Sequence, residues 1–328
     1  MTVNIGILSS AHMHVYGYAG ALAQHPDVNL VGVADPDGAR GKKLADSVGT
    51  TFFARDIDLL ERGLDGIVVT SENINHRKLV ELAASVGVKA ILCEKPLATT
   101  VEDAKAMIAA CEAKGVKLAT AFPCRYSPAF ARVQEQVKSG AVGKVLAIRG
   151  TNRGSNPGGW FVDTALSGGG AVIDHTVHVA DLNRVLLGTE ATEVYAEIGN
   201  GFNHQEWDDT GFLTISYGDG VFATLDTSWS RPKTYPTWGD VTLQVVGEKG
   251  VLDLDMFAQS LAHYNDAAGS VSWPAWGSNI DAGLIADFVK LTAGEDVPRI
   301  ATGEDGLKAL EVALAAYRSA KAGAPVAV

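Results

Sequence analysis

A series of short apolar runs in the first 122 residues decides most of what this chain can become. They are VNIGIL (3–8), LVGVAD (30–35), GIVVT (66–70), AILCEKP (90–96) and VKLATAF (116–122). Between them lie stretches suited to helices: the segment after Leu8, residues 38–48, His76 to Val86, and about 100–114. Short apolar strands alternating with helices of about 10–15 residues specify βαβ units and hence a parallel sheet. Such sheets bind ligands beyond the carboxyl ends of their strands. Ser9, Asp35, Thr70 and Glu94–Lys95 all fall at such ends.

From about Pro123 the pattern changes. A helix (Ser127 to Lys138) leads to KVLAIRG and then a Gly/Asn-rich loop, TNRGSNPGGW. EVYAEIG, TGFLTISYGDG, VFATLDTSWS, VTLQVVGEKG and VLDLD read as strands punctuated by the hairpin signals GDG and EKG. Helices near 280–292 and 303–321 close the chain. The expected class is therefore α/β. Residues 1–122 are expected to form a doubly wound parallel sheet of the Rossmann type, and residues 123–328 an α+β domain with a large, mostly antiparallel open sheet. A chain of 328 residues suits two domains.

The charge balance, −11 from 27 basic and 38 acidic residues, offers no field for nucleic acid or an acidic membrane. No apolar run approaches the roughly 18 residues of a membrane span. MTVNIGIL enters a strand pattern directly, which leaves no room for a signal peptide. Cys93, Cys111 and Cys124 lack CxxC spacing, so neither a disulfide framework nor a cysteine zinc site is expected. The expectation is a cytoplasmic protein. LTISY, ATLDTSW and TLQVV are apolar on both sides in places, so one sheet face is expected to pack against another subunit, in a homodimer or homotetramer.

A strand, turn and helix followed by a strand ending in an acid is the dinucleotide-binding arrangement, with pyrophosphate at the helix N-terminus and the acid on the adenosine ribose. Here Ser9, Ser10, Ala11, His12, Met13 and His14 occupy the slots of the usual G-x-G-x-x-G. Asp35 is the acid; it favours NAD, and the nearby Arg40 leaves NADP possible. His12-x-His14 also admits a metal reading. An open sheet and the absence of cysteine ligands speak against it, and no metal is expected; His12 is assigned to cofactor or substrate and His14 to packing.

Two motifs carry chemistry. Glu94-Lys95-Pro96 puts a lysine at a strand's carboxyl end, where a buried amine can donate or accept a proton. The alternative is a structural Lys–Glu pair. GGGAVIDHTVHVADL (168–182) reads as a nearly all-apolar helix from about Ala171. It carries Asp174 and His178 at i and i+4, with Asp181 on the same stripe. Asp181 is expected to be structural, in an ion pair, and His175 to stand at the pocket edge. The triple glycine is read as clearance for a ligand.

In combination these segments resemble the Gfo/Idh/MocA oxidoreductases over essentially the whole chain. IGIL, VADPD (33–37), TSENINH (70–76), CEKPLATT (93–100), FPCRYSPAF (122–130), GGGAVIDHTVHVADL, LQVVGEKGVLDL (243–254) and ALEVALAAYRSAKAGAPV (309–326) carry the resemblance. The departures are SSAHMH in place of the glycine fingerprint and Cys124 where many relatives carry asparagine. The resemblance implies hydride transfer between a nicotinamide dinucleotide and a sugar, cyclitol or related polyol. It implies Lys95, Asp174 and His178 as the catalytic group. Thr70, Ser71, Asn73, His76 and Glu94 would lie along the cofactor, with Arg125 and Tyr126 near the nicotinamide or substrate. Trp160 and Asp163 would be substrate contacts, each weighed against a packing role. His178, with an ordinary pKa, would exchange the proton while Lys95 stabilises the alkoxide. Two rivals remain at this point: glycoside cleavage by transient oxidation, and a non-catalytic dinucleotide-sensing regulator. Six tryptophans, Trp160, Trp207, Trp229, Trp238, Trp273 and Trp276, lie in the second half and are compatible with sugar stacking or with core packing.

Overall fold

The structure is a computed structural model that describes residues 2–235, 239–258, 263–267, 269–272 and 279–328. Trp238, Trp273 and Trp276 lie outside the described residues.

The apolar runs become strands β1 (Val3–Leu8), β2 (Val28–Ala34), β3 (Thr51–Phe53), β4 (Gly66–Val69), β5 (Ala90–Cys93) and β6 (Lys117–Thr120). The helices between them are α1 (Val15–Gln24), α2 (Gly38–Val48), α3 (Asp56–Leu60), α4 (His76–Ser85) and α5 (Val101–Glu112). β3 and α3 occupy what the sequence pattern left as a linking stretch. They are too short to carry a readable period. β4 and β5 are buried at every position, as strands covered on both faces must be.

The second half contributes α6 (Pro128–Lys138), β7 (Val145–Thr151), α7 (Thr164–Ser167), α8 (Ala171–Leu187), β8 (Ala191–Gly199), β9 (Thr210–Tyr217) and β10 (Phe222–Asp226). It continues with β11 (Thr242–Gly247), β12 (Gly250–Asp255), a hairpin of β13 (His263–Asn265) and β14 (Ser270–Ser272), α9 (Ile280–Thr292), β15 (Ala301–Thr302), α10 (Gly303–Ala322) and β16 (Val326–Ala327).

The first sheet runs β15-β6-β5-β4-β1-β2-β3, parallel except for β15. Strand order reverses between β1 and β4, so Ser9 and Thr70 flank the switch point where such sheets hold ligands. The second sheet runs β12-β11-β7-β10-β9-β8-β16, antiparallel except for the β7–β10 pair. Its inner residues, such as Val194, Leu213, Ile215, Ala223 and Leu225, are fully or almost fully buried. α8 and α10 pack on this sheet.

One departure matters for the site. The boundary at residue 122 assigned everything beyond it to the second unit, yet the chain later returns to the first. α9 packs against α1 and buries Leu284, Ile285 and Phe288 in the same core cluster as Ile5, Ile7 and Leu92. β15 then pairs antiparallel with β6. A two-residue strand has no alternation to read, so the return is silent in the sequence.

α8 starts where distant residues satisfy its first amides. Asp208 accepts from the N–H of Gly170 at 2.9 Å and of Val172 at 2.7 Å, and the Tyr317 hydroxyl meets the N–H of Gly170 and of Ile173. This corrects the reading of the triple glycine. A Cβ on Gly170 would stand 2.0 Å from the Asp208 carbonyl oxygen, and one on Gly169 2.3 Å from the Tyr317 hydroxyl. The space beside these glycines is taken by the protein's own capping groups, Asp208 and Tyr317. Gly188, at φ +65°, ends the helix in the left-handed conformation.

Candidate active site

The carboxyl end of β5 and the first turns of α8 meet across a pocket of about 490 Å³. Its wall includes His12, His14, Lys95, Cys124, Asp174, His175, His178 and Asp281. Lys95, 4 % exposed, donates from Nζ to Asp174 Oδ1 at 2.6 Å. Asp174 Oδ2 faces His175 Nε2 at 3.3 Å and accepts from the Trp229 indole at 3.4 Å. Burial alone would raise the Asp174 carboxyl; Lys95 and His175 outweigh it and hold the group well below the carboxylate range. A buried ion pair returns little net stability, because desolvation offsets most of the attraction. The i, i+4 spacing of Asp174 and His178 brings His178 to the same pocket.

The expectation of an ordinary His178 pKa is corrected. Burial, followed by the nearby Lys95 charge, holds its imidazole neutral well below the usual histidine range. Its Nδ1 lies 3.9 Å from the Cys124 sulfur. Burial pushes the Cys124 thiol up to about 12, so it is a packing group and not a thiolate nucleophile.

On the cofactor side, the turn after β1 adopts the conformation that glycine supplies elsewhere. Ser9 has φ +67°. Ser9 accepts at its carbonyl from Thr70 Oγ1 (2.7 Å), and the His12 N–H donates to the Thr70 carbonyl (2.9 Å). These bonds fix the loop over the switch point. α1 has no side-chain N-cap bond, which leaves helix-terminal amides for a phosphate. Asp35 directly follows β2 and is buried. Its carboxylate takes the Ser10 N–H and hydroxyl, the Asp37 N–H and two Arg40 nitrogens. Burial raises this carboxyl, and the Arg40 and Ser10 bonds more than reverse that. These residues fit a nicotinamide dinucleotide: a tight turn, an open helix end, and an acid at the ribose position with Arg40 against it.

The other sequence-derived residues divide. Asn73 donates from Nδ2 to the Ser167 carbonyl at 2.8 Å, and its Oδ1 is buried without a partner. Ser71 is buried, with its hydroxyl on the Glu72 carbonyl. His76 faces the carbonyls of Pro96 and Leu97 through Nδ1 and that of Ser71 through Nε2. It serves as a tie within the wall. Trp160 reaches across to donate its indole N–H to the Ala11 carbonyl at 3.1 Å and stacks on Phe161.

Three residues stand elsewhere than expected. Arg125 grips Asp181 through Nε at 2.7 Å and Nη2 at 2.5 Å, buried behind α8. Its guanidinium is committed there, and the ion pair expected for Asp181 is this one. Tyr126 packs in the core beneath α9, with Arg299 over its ring. Asp163 is exposed and caps α7 through the Ala165 N–H. Sequence reasoning missed Asp281, a pocket carboxylate on α9, and the meeting of His14 with Glu94. His14 Nδ1 lies 3.0 Å from Glu94 Oε1, while Glu94 Oε2 accepts from the Lys95 N–H at 2.8 Å. Neither carries a local signal, since the partners come from distant segments.

Comparison with known proteins agrees with this architecture. Residues 4–122 match the family model described as an oxidoreductase family with an NAD-binding Rossmann fold, and residues 130–253 match the GFO/IDH/MocA C-terminal domain. The chain belongs to the Gfo/Idh/MocA oxidoreductase family. This family member is 28% identical over 345 residues to a scyllo-inositol 2-dehydrogenase (NAD(+)) of Bacillus subtilis, covering 99% of this chain and 96% of that one. It is 30% identical over 337 residues to a myo-inositol dehydrogenase of Streptomyces leeuwenhoekii, covering 99% and 98%. Among solved structures, GenD2 from gentamicin A biosynthesis, in complex with NAD, superposes with a TM-score of 0.91 at 26% identity over 100% of this chain and 96% of that one. As a Gfo/Idh/MocA enzyme the chain is an NAD-dependent oxidoreductase. Neither glycoside cleavage nor a purely regulatory role is favoured by these relatives. No helix among the described residues is long and apolar enough to cross a membrane.

Proposed function

We propose that the enzyme oxidises a ring hydroxyl of a cyclitol or sugar, or reduces the corresponding ketone, at the pocket between Lys95 and His178. The carrying observation is the 2.6 Å Lys95–Asp174 pair opening on the same pocket as a neutral His178. Bound NAD supplies the hydride acceptor. The protein's part is the proton and the charge. A neutral imidazole is free to accept the hydroxyl proton, and the ammonium of Lys95 stabilises the oxyanion that remains. Asp174 holds Lys95 in place and, through Oδ2, is itself held by Trp229 and His175. Ser9, Ser10, Ala11, His12, Asp35, Thr70 and Asn73 are the residues proposed to hold the dinucleotide. The inositol dehydrogenase relatives support a cyclic polyol as substrate. A screen of inositols, sugars and their keto forms for NAD(H) turnover tests the reading. Stoichiometric turnover of at least one cyclic polyol is expected, and turnover with none of them overturns it.

We further infer a homo-oligomer through the outer face of the second sheet. Leu146, Tyr195, Phe212, Phe222 and Val251 are exposed on its strands, between 36% and 59%, and large apolar side chains exposed on one sheet favour an interface. A reducing, cytoplasmic setting accords with the free, buried thiols of Cys93, Cys111 and Cys124.

A further inference from the structure

The loop that departs from the glycine fingerprint does so with two imidazoles, and the fold brings a buried carboxylate to them. One ligand atom from each of His12, His14 and Glu94 lies within 4.8 Å of the others. His14 Nδ1 is 3.0 Å and His12 Nδ1 3.8 Å from Glu94 Oε1. Tetrahedral zinc with bonds of about 2.0–2.1 Å sets its ligand atoms about 3.3–3.4 Å apart. The two observed separations bracket that edge, and the third lies within 4.8 Å.

His12 does not behave as a satisfied core histidine. His76 is the contrast, with Nδ1 at 3.1 Å from the Pro96 carbonyl, within reach of a ring N–H. His12 is 1 % exposed, its Nε2 has no partner, and its Nδ1 meets only the His14 N–H at 3.2 Å. Around it stand three carboxylates, the buried Glu94 beside it and Asp174 and Asp281 on the pocket wall, where Lys95 is the one ammonium among the described residues. Asp281 has no hydrogen-bond or ion-pair partner among the described residues, and it fits against α1 because position 17 is glycine: a Cβ there would meet Asp281 Oδ2 at 2.5 Å. The partial positive charge of the α1 N-terminus, roughly half a unit, is outweighed by this excess.

We propose that His12, His14 and Glu94 form a binding site for a divalent transition-metal cation of the zinc class, with its fourth position open to the pocket. Two imidazoles and a carboxylate are a donor set that zinc accepts, and an open fourth position is what distinguishes a site that meets a ligand from a closed structural one. The second oxygen of Glu94 is already oriented by the Lys95 N–H, which is the outer support a metal carboxylate needs.

The test is calorimetric titration of the chelator-stripped full chain with Zn2+ alone, with a parallel Co2+ titration followed by visible absorption. Neither readout depends on turnover or on NAD. One equivalent per chain with a dissociation constant on the order of 1 µM or tighter is expected. His14→Ala and Glu94→Gln should each weaken it at least about 100-fold, while His204→Ala, an exposed histidine elsewhere, should bind as the wild type does. Absence of such an equivalent in the wild type overturns the proposal and leaves the cluster a hydrogen-bonded relay. So does wild-type affinity in a folded His14→Ala variant, whose position is partly exposed and tolerant of truncation.

Discussion

Lys95 Nζ stands 2.6 Å from Asp174 Oδ1, and that contact joins the carboxyl edge of the first sheet to the helix that floors the pocket. The partners are 79 residues apart in the chain. If this pair and the neighbouring His178 serve reaction rather than folding, removing Lys95 or His178 should affect turnover more than stability of the cofactor complex. Lys95→Met is expected to lower kcat by about 10²–10⁴ and His178→Asn by a similar factor, with NAD affinity changed much less. Steady-state kinetics with a cyclic polyol, beside NAD titration by fluorescence, checks this; full turnover in both variants would remove them from the mechanism.

The neutrality of His178 gives a pH signature. An ordinary histidine would impose an acid limb on kcat/KM near 6.5. Burial and Lys95 lower this group well below that, so polyol oxidation should show no loss from His178 between pH 7.5 and about 6. An acid limb at the ordinary value that vanishes in His178→Asn would contradict the assigned environment.

Stability should fall on mild acidification. His12, His76, His175 and His178 are all lowered, chiefly by burial. Below about pH 6.5 the unfolded chain takes up protons that the folded chain refuses, so unfolding becomes easier as pH drops. Each such histidine costs up to about 1.4 kcal/mol per pH unit in that window. The loss runs from 6.5 down toward the folded-state values, about 3 for His12. Denaturant titrations at pH 7 and 5 measure it. A flat profile would mean that the imidazoles protonate freely in the folded state.

Arg125 and Asp181 offer a test of what lies behind the site. Arg125→Met strands a fully buried carboxylate and should cost about 3–5 kcal/mol, whereas pairing it with Asp181→Leu should restore most of the loss. NAD affinity in the double variant should match the wild type. A specific loss of NAD affinity would return Arg125 to the cofactor.

Gly170→Ala separates two uses of the triple glycine. The added Cβ would fall 2.0 Å from the Asp208 carbonyl, and overpacking of this kind costs about 1–3 kcal/mol. The melting temperature should drop. Unchanged stability with weakened NAD or substrate binding would instead point to ligand clearance.

What could be read in advance follows from what is local. The β/α alternation, the carboxyl-edge positions and the Asp174–His178 stripe each lie within one segment, and all recur in the structure. The resemblance implies a place near the nicotinamide or substrate for Arg125 and Tyr126, whereas the structure turns them to Asp181 and to the core under α9. Asp163 was drawn to substrate and found capping a helix. The Glu94–His14 contact spans 80 residues and Asp281 arrives from α9, so no spacing rule could have joined them. The loop that lost its glycines was judged by what it lacks; the neighbours of its histidines come from elsewhere in the fold.

The late return of the chain to the first sheet has a mechanical meaning. The polypeptide leaves that sheet after β6, comes back with α9 and β15, and departs again into α10, which packs on elements of both sheets. Two bodies tied by a single tether can twist as well as open. Three crossings of the chain join them here, which restricts relative twist more than one tether would. The pocket is lined from both halves, so the Lys95–Asp174 pair is a tie between them as well as a part of the site.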